Sequence, residues 1–183
     1  GPWQFIPSTG RRYRLKSDAV RDERRNLEMS TEAAVKYLKY LKDFQDNDWF
    51  LAMASYNAGE ERIRKLLKEQ KITDYWKMHG PRETMRYVPR IIAAKEIYSQ
   101  PEKYLGLTKK DLYMPLETET ITVNVKESQR ALASVAEEFG TYLLEIKMLN
   151  PEFKKDMLPR GSYQIRVPRQ TCPNRCFKQD PTP

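Results

Sequence analysis

Three stretches hold the residues best suited to chemistry. Gly1-Pro-Trp-Gln-Phe-Ile-Pro-Ser-Thr-Gly-Arg11 sets one neutral amide, Gln4, among the apolar side chains Trp3, Phe5 and Ile6. Ala52-Met-Ala-Ser-Tyr-Asn-Ala-Gly59 ends on Tyr56 and Asn57. Glu83-Thr-Met-Arg-Tyr-Val-Pro-Arg-Ile-Ile-Ala93 carries Tyr87. Gln4, Tyr56 and Tyr87 supply hydrogen-bond groups that orient a polar partner without adding charge. Each stretch also has a plain structural use. Trp3, Phe5 and Ile6 suit a core, Asn57 suits a helix cap before Gly59, and Tyr87 suits an ordinary helical aromatic. Glu23, Glu28, Glu60 and Glu61 read as solvated helix charges. His79 is the only histidine, and Cys172 and Cys176 are the only cysteines. Zinc needs more ligands than that pair, so no metal or cofactor is expected. A local disulfide in an oxidising compartment suits the pair. Two free thiols on a loose tail are the alternative.

The elements that must position these groups are mostly helical. Ser30 or Thr31 can cap a helix in which Ala34, Leu38 and Leu41 recur at i, i+4 and i+7. Asp46-Asn47-Asp48 offers a cap for a second helix, which Gly59 can end. Ile63, Leu66 and Leu67 share one face of a third. Pro81 opens a fourth stretch, and Pro89 predicts a break near Val88 with a new helix from Pro89 to about Ser99. Trp3 to Gly10 reads as a turn-rich entry. No strand is expected before Tyr104. After Leu105 the pattern changes. Ile121–Val125 and Tyr163–Val167 alternate as strands do, with helices predicted over Gln129–Phe139 and Tyr142–Leu149 between them. That order is β-α-α-β. The stretch from Gln170 holds prolines in no pattern and reads as a loose tail.

Together, in this order, the three stretches resemble the goose-lysozyme-like (SLT) lytic transglycosylases, and within them the membrane-bound lytic murein transglycosylase D group. The resemblance is close over residues 1–107 and weaker through Val167, where that group carries a degenerate module similar to LysM wall-binding domains. It implies a mainly α architecture: a lysozyme-like all-α catalytic domain over 1–107, its first part lying upstream of Gly1, then a β-α-α-β LysM-like module over 118–169 and a tail over 170–183. It implies cleavage of the β-1,4 bond between N-acetylmuramic acid and N-acetylglucosamine without water as nucleophile. One glutamate protonates the leaving oxygen, then accepts the proton of the muramoyl 6-hydroxyl, giving a 1,6-anhydromuramoyl end. A single carboxyl serves both steps if its pKa lies near ambient pH. By the same resemblance Gln4, Tyr56 and Tyr87 are the catalytic-site residues of this chain. Trp3, Phe5, Ile6 and Asn57 are the substrate-binding ones, and Gln4, Tyr56, Asn57 and Tyr87 converge on one cleft.

The pattern departs from the family in two places. The family's glutamate sits in a Glu-Ser motif upstream of the segment matching Trp3-Gln4, and no carboxylate of this sequence matches it. The expectation is a chain inactive alone, whose partner is the upstream segment of the same enzyme. The alternative is a non-catalytic glycan-binding protein. In the module, Lys126-Glu127-Ser128 replaces the usual Gly-Asp-Thr turn. LysM-like modules bind glycans through the loop after the first strand, here with Glu127-Ser128, and the loop holding Asn150-Pro151, so weak glycan affinity is expected. Composition is consistent with a wall partner. The net charge of +8 suits an acidic polymer, while the basic residues are scattered among acids and no DNA- or RNA-reading motif is present. Charge alone equally suits nucleic acid, anionic lipid or a solvated basic surface; the resemblance makes peptidoglycan glycan strands the expected partner, with no nucleic acid. No apolar run approaches the ~20 residues of a membrane span. The expected location is the periplasm, against the wall, with any outer-membrane anchor upstream.

Overall fold

The structure is a computed structural model that describes residues 1–169. Cys172, Cys176 and the predicted tail lie outside the described residues. The chain divides into two compact units that do not follow chain order. Residues 32–112 form one, and residues 1–31 form the other with the chain from Tyr113 onward.

Residues 32–112 are helical. They contain most of α2 (Leu27–Phe44), then α3 (Trp49–Ala58), α4 (Glu60–Gln70), α5 (Arg82–Ser99) and α6 (Pro101–Leu105). Local signals fix the middle of this unit. The Asp48 carboxylate accepts the Phe50 and Leu51 N–H groups at 2.7 and 3.0 Å, satisfying two donors that the start of α3 leaves over. Gly59, at φ 91°, turns the chain from α3 into α4 at an angle a side chain would resist. Leu51, Ala54, Ile63, Tyr75, Met78 and Val88 form the core between α3, α4 and α5.

The break expected at Pro89 is absent. α5 runs from Arg82 to Ser99 with Pro89 inside it. Proline cannot donate to the carbonyl four residues back, that of Met85. The Tyr75 hydroxyl supplies the donor instead, reaching the Met85 carbonyl at 3.2 Å and that of Thr84 at 3.4 Å. Tyr75 is 1% exposed, and its bond to the Thr84 carbonyl is buried while that to the Met85 carbonyl is partly so. Tyr75→Phe is expected to lower stability by about 1–3 kcal/mol, the cost of a buried acceptor left without its donor. Denaturant unfolding measures it, and a loss below about 0.5 kcal/mol would mean that the carbonyl is served otherwise.

The other unit has the β-α-α-β order. β1 (Thr118–Ala131) pairs antiparallel with β2 (Met157–Pro168), and α7 (Leu132–Glu138) and α8 (Leu143–Leu149) lie between them in sequence. Both strands are longer than the alternation suggests. β1 continues past Val125 through a register shift before Gln129. Lys126-Glu127-Ser128 therefore lies inside β1 and not in a loop after it, and α7 starts at Leu132 rather than Gln129. Period-2 alternation puts Val123, Val125, Tyr163, Ile165 and Val167 on the buried face, against Leu132, Val135, Ala136 and Ile146. Residues 1–31 belong to this unit and lend Val20 to its core.

Three local expectations are corrected in residues 1–31. Pro7 begins a helix, α1 (Pro7–Arg12), where its fixed φ is preorganised and its missing N–H costs nothing. α2 starts at Leu27, with the Asn26 side chain accepting the Met29 N–H, so Ser30 and Thr31 are inside the helix. Glu23 is not solvated. It is 5% exposed, accepts the Lys16 N–H at 2.8 Å and faces Arg21 at 3.6 Å. Up to Tyr104 the described residues form no strand, only the isolated bridges Ser17–Asp22 and Arg21–Phe153.

Candidate active site

Within residues 32–112, three helices bring the second and third motifs together. Thr84, Tyr87 and Val88 share one face of α5 by their i, i+3, i+4 spacing. Tyr56 and Asn57 end α3, the neighbouring helix. The Thr84 hydroxyl, 2% exposed, donates to Asn57 Oδ1 at 2.9 Å, and Asn57 Nδ2 donates to Glu83 Oε1 at 3.1 Å. Asn57 thus clamps α3 to α5 through both ends of its amide. It is not the cap of α3, since Gly59 closes that helix with its own N–H on the Ser55 carbonyl at 2.8 Å.

Tyr56 and Tyr87 are both half-buried. Burial, and after it the neighbouring Tyr87, pushes the Tyr56 hydroxyl up to about 12. Burial also raises Tyr87. Both phenols therefore keep their protons throughout the neutral range and present neutral donors. α2 supports them with a residue the sequence reading passed over. Tyr37, 8% exposed, lays its ring 5.3 Å from that of Tyr56 and donates its hydroxyl to Glu60 Oε2 at 3.1 Å. The signal was available: Ala34, Tyr37 and Leu41 are the buried stripe at i, i+3, i+7, with Leu38 only half-buried beside them. Glu60 is half-buried and hydrogen-bonded, while Glu61 is an exposed helix charge.

Gln4 belongs to the other unit. It is exposed, and its backbone is left-handed at φ 51°, a conformation that costs a non-glycine residue about 1–3 kcal/mol and tends to mark functional positions. Its amide donates to the Gly1 carbonyl at 2.6 Å. Its neighbours split by role. Phe5 is buried against Tyr13, with ring centroids 6.4 Å apart, and Trp3 is half-buried with its indole N–H on the Thr31 hydroxyl at 2.8 Å. Ile6 is 62% exposed and offers an apolar surface. Three guanidinium bonds fix this stretch of chain. Arg24 Nη1 donates to the Phe5 carbonyl at 3.0 Å, and Arg24 grips Asp22 through Nε and Nη2 at 2.9 and 2.6 Å. The Arg24 guanidinium and backbone N–H hold the Asp22 carboxyl below the usual carboxylate range, against the opposing effect of burial.

In the module, Asn150 is 1% exposed, with its amide spent on the Ile146 and Arg166 carbonyls and on the Arg166 N–H. It is a buried tie between α8 and β2.

Comparison with known proteins finds two family matches, which follow chain order where the compact units do not. Residues 1–79 match the family described as Transglycosylase SLT domain. Residues 117–174 match the family described as Lytic transglycosylase MltD, LysM-like domain. Over 176 residues the chain is 34% identical to the membrane-bound lytic murein transglycosylase D of Escherichia coli (strain K12), covering 93% of this chain and 38% of that protein. The same figures hold for the protein of that name from Escherichia coli O6:H1 (strain CFT073). The chain therefore spans less than two fifths of the length of these relatives. The chain therefore carries a transglycosylase SLT domain match that holds the Gln4 and Tyr56 motifs, with the LysM-like domain of lytic transglycosylase MltD, a β-α-α-β module, behind it.

Proposed function

We propose that this chain contributes the sugar-orienting part of a peptidoglycan lytic transglycosylase, which cleaves the MurNAc-β-1,4-GlcNAc bond and leaves a 1,6-anhydromuramoyl end. The observation that carries the reading is the pair of half-buried, firmly protonated phenols, Tyr56 and Tyr87, on helices clamped by Asn57. Protonated phenols in a partly dry site donate to sugar oxygens or to a carboxylate without competing as acids. In this reading Gln4 joins them in orienting the substrate, and Trp3, Phe5 and Ile6 supply or support apolar surface for sugar faces. The acid–base group is a glutamate of a Glu-Ser motif outside these 183 residues. Peptidoglycan strands and the segment bearing that motif are the partners, and the periplasmic face of the wall is the place of action.

A second reading is a glycan-binding protein on the same scaffold. It is favoured by the carboxylates of the helices themselves, since Glu60 and Glu83 are engaged by Tyr37 and Asn57. Product analysis separates the two. The enzyme with all its encoded residues, incubated with purified sacculi, is expected to yield anhydromuropeptides and no new reducing ends. Reducing muramoyl ends would indicate hydrolysis, and binding without any product would favour the second reading.

A further inference from the structure

The loop between α8 and β2 is spent on residues 20–26. The Asp22 N–H donates to the Glu152 carbonyl at 2.8 Å, the Lys154 N–H donates to the Val20 carbonyl at 2.8 Å, and Arg21 bridges Phe153. The Glu152 carboxylate, on a residue 6% exposed, accepts Asn26 Nδ2 at 2.7 Å and Arg166 Nη2 at 3.1 and 3.3 Å. From there the bonds run to the first motif. Asp22 holds Arg24, and Arg24 holds the Phe5 carbonyl. Gly1 lies so close to Arg24 that a Cβ on it would stand 1.7 Å from the Arg24 carbonyl oxygen. The backbone after Gln4 is therefore fastened to Arg24, the backbone before it approaches Arg24 closely, and Arg24 is fastened through Asp22, whose N–H is on the Glu152 carbonyl, to the module.

We propose that Glu152 and Arg166 are positioning residues for Gln4, so that the LysM-like module braces the catalytic segment rather than only adhering to the wall. The inference rests on the reading of Gln4 as an active-site residue. Its physical basis is strain. A glutamine at φ 51° persists only where its surroundings over-determine it, and the bonds described above lead through Asp22 and Arg24 to the Phe5 carbonyl beside it. Releasing the brace lets Gln4 relax toward ordinary backbone angles. Glu152 and Arg166 are also mutually dependent, because each is the other's charge partner in a mostly dry place.

The test uses the enzyme with all its encoded residues, assayed on soluble glycan strands, with amide hydrogen exchange measured in parallel. Glu152→Ala is expected to lower kcat about 10-fold with KM within about twofold, since small misplacements of an orienting group act on turnover. Exchange should quicken over residues 4–10 while the β1–β2 amides stay protected. Glu152→Gln, which keeps an acceptor for Asn26, should restore most of the activity. An unchanged kcat, or an effect confined to KM and to co-sedimentation with sacculi, overturns the proposal. Should Glu152→Ala expose the β1–β2 amides, Asp22→Asn decides, because it loosens Arg24 without touching the sheet. Unchanged turnover and unchanged exchange over residues 4–10 in Asp22→Asn overturn the brace. If the unaltered enzyme forms no anhydromuramoyl ends, the functional reading falls, and the exchange arm still judges the brace on its own.

Discussion

Incubated with sacculi, the 183-residue chain alone is expected to release anhydromuropeptides at least about 10²-fold more slowly than the same residues joined to a segment bearing the Glu-Ser motif. The argument is chemical. Departure of a sugar alkoxide needs a proton at the glycosidic oxygen, and general acid–base catalysis typically supplies about 10²–10⁴-fold. The groups assembled here cannot replace it. Free tyrosine is already a poor acid near neutrality at about 10, and burial moves Tyr56 further away, to about 12. The Gln4 amide can donate a hydrogen bond but is far too weak an acid to transfer a proton. Full activity from the isolated chain would place the acid among its own carboxylates. Glu60, half-buried and hydrogen-bonded by Tyr37, would then be the first to replace, followed by Glu61.

The second large effect concerns Tyr56 in the enzyme with all its encoded residues. Tyr56→Phe is expected to lower kcat by about 10²-fold, the scale seen when one preorganised donor to developing charge is removed. KM should change little. The fold should tolerate the change, because Phe keeps the ring that packs against Tyr37. The pH profile gives an independent check. Tyr56 keeps its proton to about 12, so any alkaline fall in activity below pH 10 belongs to another group and should persist in the variant. A Tyr56→Phe enzyme with unaltered kcat would remove Tyr56 from the chemistry and leave it as packing. Loss of an alkaline limb in the variant would show that the phenol titrates far lower than its surroundings dictate.

What could be read from the residues was what local physics decides. Asp48 and Gly59 bracket α3 because a cap and a positive φ are set within a few residues of chain. The two alternating runs gave the strands of the module for the same reason, though not their ends, because the irregularity after Val125 lets pairing continue where simple alternation stops. Pro89 was misjudged because its remedy is tertiary: the hydroxyl that satisfies the Met85 carbonyl comes from Tyr75, outside the helix. Glu23 looked solvated because nothing nearby in sequence announces that Lys16 and Arg21 enclose it. In the site, Tyr56, Asn57 and Tyr87 were legible as motif residues. Thr84, Tyr37 and the two-ended use of the Asn57 amide were not, since they depend on which helix faces meet.

The contact between Asn26 and Glu152 joins residues 126 apart. On the ribosome, residues 32–112 emerge with all the partners of their own unit close behind. Residues 1–31 emerge before them, yet the strand and loop that complete their unit are among the last described residues to be made. Their delay is one of time more than of free energy, because each doubling of a closed loop adds only about 0.6 kcal/mol. During synthesis the segment carrying Gln4 therefore waits, unbraced, for the module to arrive. On the proposed brace, translation of β2 becomes the step that sets the Gln4 motif into its working shape.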